Sequence, residues 1–181
     1  MQANTLDIQI GFKNQLLSLY QGEKSLSKTF TSSASYYPVL SLIMEEDIIT
    51  WQKTAANSAS KIETFYNSGA LKQVSSYNRE IVQLLPKSDD FAYILSNTGD
   101  SAYFDIYGLE SGLIQSEGFA NNHFYDGCVG ENAFVYIASD NGVLRYNPLN
   151  FQFSTFVGLA CRQVIWDYVN NVLVLSTDTE I

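Results

Sequence analysis

AFVYIASDNGVLRYNPLNFQFSTF, residues 133–156, reads as three short strands joined by two tight turns. The first run, 133–138, is almost wholly apolar, the pattern of a strand covered on both faces. Asp140-Asn141-Gly142 is hairpin-turn chemistry, because Asn and Gly tolerate the positive φ that a tight turn requires. The last run, 151–156, alternates and is more polar, as an outer edge strand should be.

Weaker copies of this unit recur on both sides of it. In each, a tyrosine ends a strand, a polar turn follows and an apolar residue starts the next strand. The tyrosines are Tyr20, Tyr66, Tyr107 and Tyr146, at intervals of 46, 41 and 39 residues, and the apolar starts are Leu26, Leu71, Leu113 and Phe151. A period of roughly 40 to 50 residues with four strands per unit is that of propeller blades. A β-sandwich also has short strands at turn-marked spacing, but it does not predict the tyrosine–turn recurrence or the inner-to-outer gradient of polarity. The expected fold is therefore all-β and propeller-type, with about four four-stranded blades and units near 7–31, 38–75, 80–119, 123–157 and 162–181. The whole of 1–181 reads as one propeller domain or propeller fragment. Pro86 is expected to stop the strand begun at Glu80, since it lacks the N–H of a central ladder. The stretch 54–62 reads as a long polar hairpin loop.

Two arrangements suit the ends. The N-terminal strands could complete the last blade and close a four-bladed ring, or the chain could be part of a larger propeller. The strand at 7–12 competes with 172–175 for one slot, which favours the fragment. An open fragment exposes strand edges, so a homo-oligomer through those edges is an expectation.

The segment Tyr136-Ile137-Ala138-Ser139-Asp140-Asn141-Gly142-Val143-Leu144-Arg145-Tyr146-Asn147, with 153–156 after it, resembles the repeat of two-component-regulator-type propellers. That pattern is a hydrophobic pair, a small residue, Ser or Thr, Asx-Asn-Gly, then an apolar residue, Arg and Tyr. The resemblance is clear in one unit; Asn97-Thr98-Gly99-Asp100 replaces the turn in another, and no Arg precedes Tyr66 or Tyr107. In that family the blades form extracytoplasmic sensor or binding domains. The resemblance thus implies recognition of a ligand or partner rather than catalysis, and an extracytoplasmic location on that ground alone.

Composition fits a folded chain: 46% of the 181 residues are hydrophobic, 16% are charged, and 14% aromatic content leans towards strands. The net charge of −9, with only 10 Lys and Arg and no cluster of them, argues against a nucleic-acid partner. No run of about 18 apolar residues offers a membrane span, and the first residues lack the basic and apolar regions of a signal peptide. Cys128 and Cys161 allow at most one disulfide, which their spacing does not force. With a single histidine, His123, and no Cys-x-x-Cys, a zinc site is not expected.

Chemical motifs are sparse. Asp89-Asp90 and Glu45-Glu46-Asp47 lack the spaced oxygen ligands of a calcium loop and read as solvated turns. His123 and Asp126, three apart on one strand, point to opposite faces. No nucleophile elbow, phosphate loop or zinc-protease helix motif occurs, so no catalytic residue, metal or cofactor is assigned. The repeat tyrosines read as packing residues. Tyr36, Tyr37, Tyr77, Phe124 and Tyr125 fall near blade connections, where an aromatic surface for a partner could form. The functional expectation is a non-catalytic binding or sensing module that presents loops to a protein partner or small ligand. The alternatives are a propeller-scaffold enzyme with a site built from inter-blade loops, and an architectural subunit of a larger assembly.

Overall fold

The computed structural model describes residues 6–11, 16–21, 24–29, 36–44, 47–54, 56, 59–66 and 70–177. The turns expected at 22–23, 45–46 and 67–69, the connection at 30–35 and the residues after 177 lie outside them, as do the side chains of Tyr20 and Tyr37. Strands β1 (Leu6–Gly11), β2 (Leu16–Gln21) and β3 (Lys24–Thr29) form a three-stranded sheet. Three four-stranded sheets follow. The first comprises β4 (Tyr36–Ile43), β5 (Asp47–Thr54), β6 (Ser60–Tyr66) and β7 (Leu71–Ser76). The second comprises β8 (Glu80–Ser88), β9 (Phe91–Thr98), β10 (Ser101–Gly108) and β11 (Gly112–Ala120). The third comprises β12 (Phe124–Val129), β13 (Val135–Ser139), β14 (Gly142–Asn147) and β15 (Gln152–Val157). Strands β16 (Gln163–Asp167) and β17 (Val172–Ser176) form a final pair. Every pairing is antiparallel and joins strands consecutive in sequence.

The first strands β4, β8, β12 and β16 lie beside one another in order, so successive sheets stack face to face around a common inner side. This is the β-propeller-type architecture that the 40-residue period predicts. Because strand side chains alternate between faces, each inner sheet offers one face to the sheet before it and the other to the sheet after it. In β9 and β10, Ala92, Ile94 and Tyr107 pack with Ile49, Trp51 and Ile62 of the preceding sheet. On the opposite face, Tyr93, Leu95, Phe104 and Ile106 pack with Val135, Ile137, Leu144 and Tyr146 of the next. A third cluster joins Tyr136, Ala138 and Val143 to Cys161 and Val164. Each large side chain so buried contributes about 1.5–3 kcal/mol, and none of it is available to a sheet without its neighbours. Outer strands β7, β11 and β15 are mostly exposed, in keeping with their polar sequences.

Two expectations are revised. Strand β8 runs through Pro86 rather than stopping there. As the first strand of its sheet it pairs only with β9, and the register shifts between Pro86 and Ser88; an edge strand with a bulge tolerates a missing N–H. The loop after β5 is shorter than the 54–62 reading, because Thr54 ends one strand and Ser60 begins the next. Neither Cys128 nor Cys161 is in a disulfide, and Cys161 is a buried member of the third cluster. Among the described residues β17 pairs only with β16, and β1–β3 make a sheet of their own, so the N-terminal strands do not extend the last sheet through ladder hydrogen bonds.

Candidate partner-binding rim

The stacking divides the turns into two rims. One carries the crossovers from each outer strand to the next first strand, together with the hairpin tips between second and third strands. Each of the three described crossovers is tied by its backbone to the sheet it leaves. Tyr77 N donates to Ser60 O (3.1 Å), Asn122 N to Asp100 O (3.3 Å) and Cys161 N to Ser139 O (3.1 Å). All five aromatic candidates from the sequence fall at this end, but the fold treats them differently.

Tyr77 is 6% exposed and belongs to the first inter-sheet cluster. Its hydroxyl donates to Asp105 Oδ2 at 2.5 Å and lies 2.9 Å from Ser96 Oγ. Asp105, fully buried, also accepts from Arg79 Nη1 at 2.9 Å on both oxygens, and the guanidinium lies 3.7 Å over the ring of Tyr103. Burial, reinforced by the Asp105 carboxylate, raises the Tyr77 phenol pKa far above its ordinary value. This network fastens the crossover at 77–79 to the second and third strands of the sheet it enters. Phe124 is 1% exposed, and Asn97 braces its backbone with Nδ2 to Phe124 O (2.9 Å) and Oδ1 from Phe124 N (3.0 Å). Both rings are core residues.

Tyr125 is re-aimed. The register of β12 shifts between Phe124 and Asp126, and a bulge of this kind turns a side chain away from the strand's regular alternation. The Tyr125 hydroxyl donates to Asp140 Oδ1 at 2.6 Å, and the Arg162 guanidinium lies 3.9 Å over its ring. His123 Nδ1 is 3.4 Å from Asp140 Oδ2, and Arg162 Nη1 is 3.7 Å from Asp140 Oδ1. The hydrogen bond to Asp140 is the main cause that raises the Tyr125 pKa. One hairpin tip and two crossovers thus build a partly exposed cluster of carboxylate, guanidinium, imidazole and phenol. Tyr36 opens β4 at the same end, with Lys61 Nζ 4.5 Å over its ring; the side chain of Tyr37 lies outside the described residues.

Asp140, read from sequence as turn chemistry, is therefore also the centre of this cluster, and Arg162 was not singled out at all. The repeat held the signal: once blade order is assigned, 123, 140 and 162 must share a rim. The separation of His123 from Asp126 holds. The Asp126 carboxylate accepts from Gly127 N (2.8 Å) and Val164 N (3.1 Å), tying β12 to β16, while His123 faces Asp140. Among the described residues no three His, Cys, Asp or Glu side chains are grouped as a metal site would require, and no helix is long and apolar enough to cross a membrane.

The fold defines the class: a repeat-built protein of the β-propeller type. The likeness to known proteins lies in structure and not in sequence, since neither a protein-family model nor a curated protein matches the chain. A puromycin hydrolase superposes with a TM-score of 0.60 at 9% identity, over 94% of this chain and 36% of that one. The extracellular domain of a hybrid two-component system from B. thetaiotaomicron gives 0.50 at 12% identity, over 93% and 31%. A protein of unknown function from Bacteroides caccae gives 0.56 at 9%, over 94% and 64%. The chain thus spans about a third of the hydrolase and sensor chains. The likeness to the sensor domain agrees, at the level of fold, with the resemblance read from residues 136–147.

Proposed function

We propose that this chain is a non-catalytic binding or sensing module, that 1–181 acts as one propeller-type unit, and that its crossover rim receives a protein partner or a small ligand. The observation that carries the reading is the Tyr125–Arg162–Asp140–His123 cluster. The bulge in β12 sends Phe124 inward and leaves Tyr125 at the rim, where a stacked guanidinium and phenol offer flat apolar area beside directional donors. Tyr36 and Tyr37 extend the same rim. Tyr77 and Phe124 support it from inside, since rings so deeply buried do not reach a partner. The likeness to an extracellular sensor domain supports a recognition role and an extracytoplasmic setting.

A second reading has one observation in its favour, the TM-score of 0.60 with a puromycin hydrolase. In that reading the chain is the propeller portion of a larger enzyme, and the rim helps to admit a substrate.

The test is a thermal-shift screen of wild type against aromatic, carboxylated and cationic ligands, repeated with Tyr125→Ala and Arg162→Ala. Ligands that stabilise wild type should lose that effect in both variants. Hits that persist in both would place binding elsewhere, and turnover of ester or amide substrates by the isolated chain would overturn the non-catalytic assignment.

A further inference from the structure

The opposite rim carries the turns between first and second strands and between third and fourth strands, and its chemistry is different. Three of its turns have one length and end on a positive φ, and two of them carry the same side-chain bond. Asn147 Oδ1 accepts from Leu149 N at 2.9 Å, and Asp167 Oδ1 accepts from Val169 N at 2.9 Å. These Asx-type bonds fix the backbone and lift the residue two positions on into solvent. The turn after Gly108 has the same length, with Glu110 at its tip. At the corresponding tips Leu149 is 84% exposed and Val169 is 91% exposed. The last residue of each turn takes a positive φ: Gly112 at 79°, Asn171 at 55° and Phe151 at 58°.

Gly and Asn suit that conformation, whereas a bulky side chain there is a genuine outlier. Phe151 is nevertheless 60% exposed, so packing against the body of the fold does not account for its ring. The turn at 167–171 is held rigid on the rim, because Tyr168 OH donates to Val129 O (2.7 Å) and Asn171 Nδ2 to Glu131 Oε2 (3.0 Å), both near the 130–134 loop of the preceding sheet. The rim that carries these apolar knobs is acidic. Asp89, Asp90, Glu110, Glu131 and Asp167 stand in or beside its turns; of the basic residues described there, the largely buried Lys72 lies 3.3 Å from Glu110, Arg145 lies over the rings of Phe134 and Phe156, and Lys87 flanks the turn of Asp89 and Asp90.

We infer that this rim, through Leu149, Phe151 and Val169, docks a basic, amphipathic segment of a partner protein. The inference does not rest on the function proposed for the crossover rim. Charge complementarity selects the occupant: apolar knobs take the partner's apolar face and the surrounding carboxylates take its lysines or arginines. The same carboxylates repel an anionic membrane, and the net charge of −9 opposes a second copy of this chain.

The probe is a fluorescent, amphipathic lysine–leucine peptide titrated into wild type, Phe151→Gly and the double variant Leu149→Ser/Val169→Ser, at low and high salt. Wild type should bind, each variant should bind about tenfold more weakly, and salt should weaken binding through screening. Phe151→Gly should at the same time raise Tm by a few degrees, since glycine relaxes the backbone; weaker binding by a more stable protein cannot be a folding defect. The proposal fails if wild type ignores the peptide or if the variants bind it as wild type does. It fails equally if these residues instead govern adhesion to phosphatidylglycerol vesicles or self-association in sedimentation.

Discussion

Replacing Asp105 by alanine should be among the most damaging single changes in this chain, and its size can be worked from the structure. Asp105 is fully buried and accepts three hydrogen bonds, one from Tyr77 at 2.5 Å and two from Arg79 at 2.9 Å. Removing one partner of a buried ion pair costs about 3–5 kcal/mol, because the remaining charge is left uncompensated. Arg79 keeps 26% of its side-chain exposure and a bond to Ser116 Oγ at 3.1 Å, and Tyr77 keeps Ser96, so the lower end applies, about 3 kcal/mol. Tyr77→Phe removes one charge-assisted bond and should lose about 1.5–2 kcal/mol. The double variant should lose less than the two separately, since they share one network. Urea titrations followed by the fluorescence of Trp51, buried in the adjoining cluster, measure these values. A loss below about 1 kcal/mol for Asp105→Ala would refute the claim that this network fastens the crossover.

Other outcomes follow from the same packing. Burial raises the pKa of Tyr93 to about 12 and pushes those of Tyr107 and Tyr146 above the usual phenol value. The unfolded chain therefore ionises first as pH rises through about 10, and stability present below that pH is lost above it; the tyrosinate absorbance of these buried rings should appear together with unfolding, and their ionisation in the folded protein would contradict this. Gly130→Ala places a methyl 2.8 Å from ring atoms of Trp166 and Tyr136, which stack 5.4 Å apart, and should cost about 1–3 kcal/mol in urea melts. The Tyr146 hydroxyl is buried with no hydrogen-bond partner among the described residues, so Tyr146→Phe should leave stability unchanged or raise it by up to about 1 kcal/mol; a clear loss would mean that the repeat tyrosine matters for its hydroxyl and not for its ring.

The architecture was legible because it is written in periods. Near-continuous apolar runs such as 133–138 and 91–95 mark strands covered on both faces, and the tyrosine spacing marks the blade. Pro86 misleads because a sequence does not say which strand has only one neighbour. The rim was half legible. Chain position puts Tyr77, Phe124 and Tyr125 at one end, but the direction of each ring depends on a one-residue bulge in β12, a register event that no local pattern encodes. Asp140 and Arg162 were hidden for a different reason: they lie 22 positions apart and meet only through blade order. Phe151 marked a strand start in the repeat, and only its backbone angle shows it to be out of place.

The central claim is that, among the described residues, the sheets from β4 to β17 pack only against their neighbours in sequence, which is what creates the two rims. NOESY contacts among aromatic and methyl protons in solution test it directly. The account predicts cross-peaks that join Trp51 to Ile94, Phe104 to Tyr146 and Tyr136 to Trp166, each between consecutive sheets. Contacts between Ile48 or Phe65 and the core of β13 and β14 would bring the first and third four-stranded sheets face to face, as in a sandwich, and would contradict it.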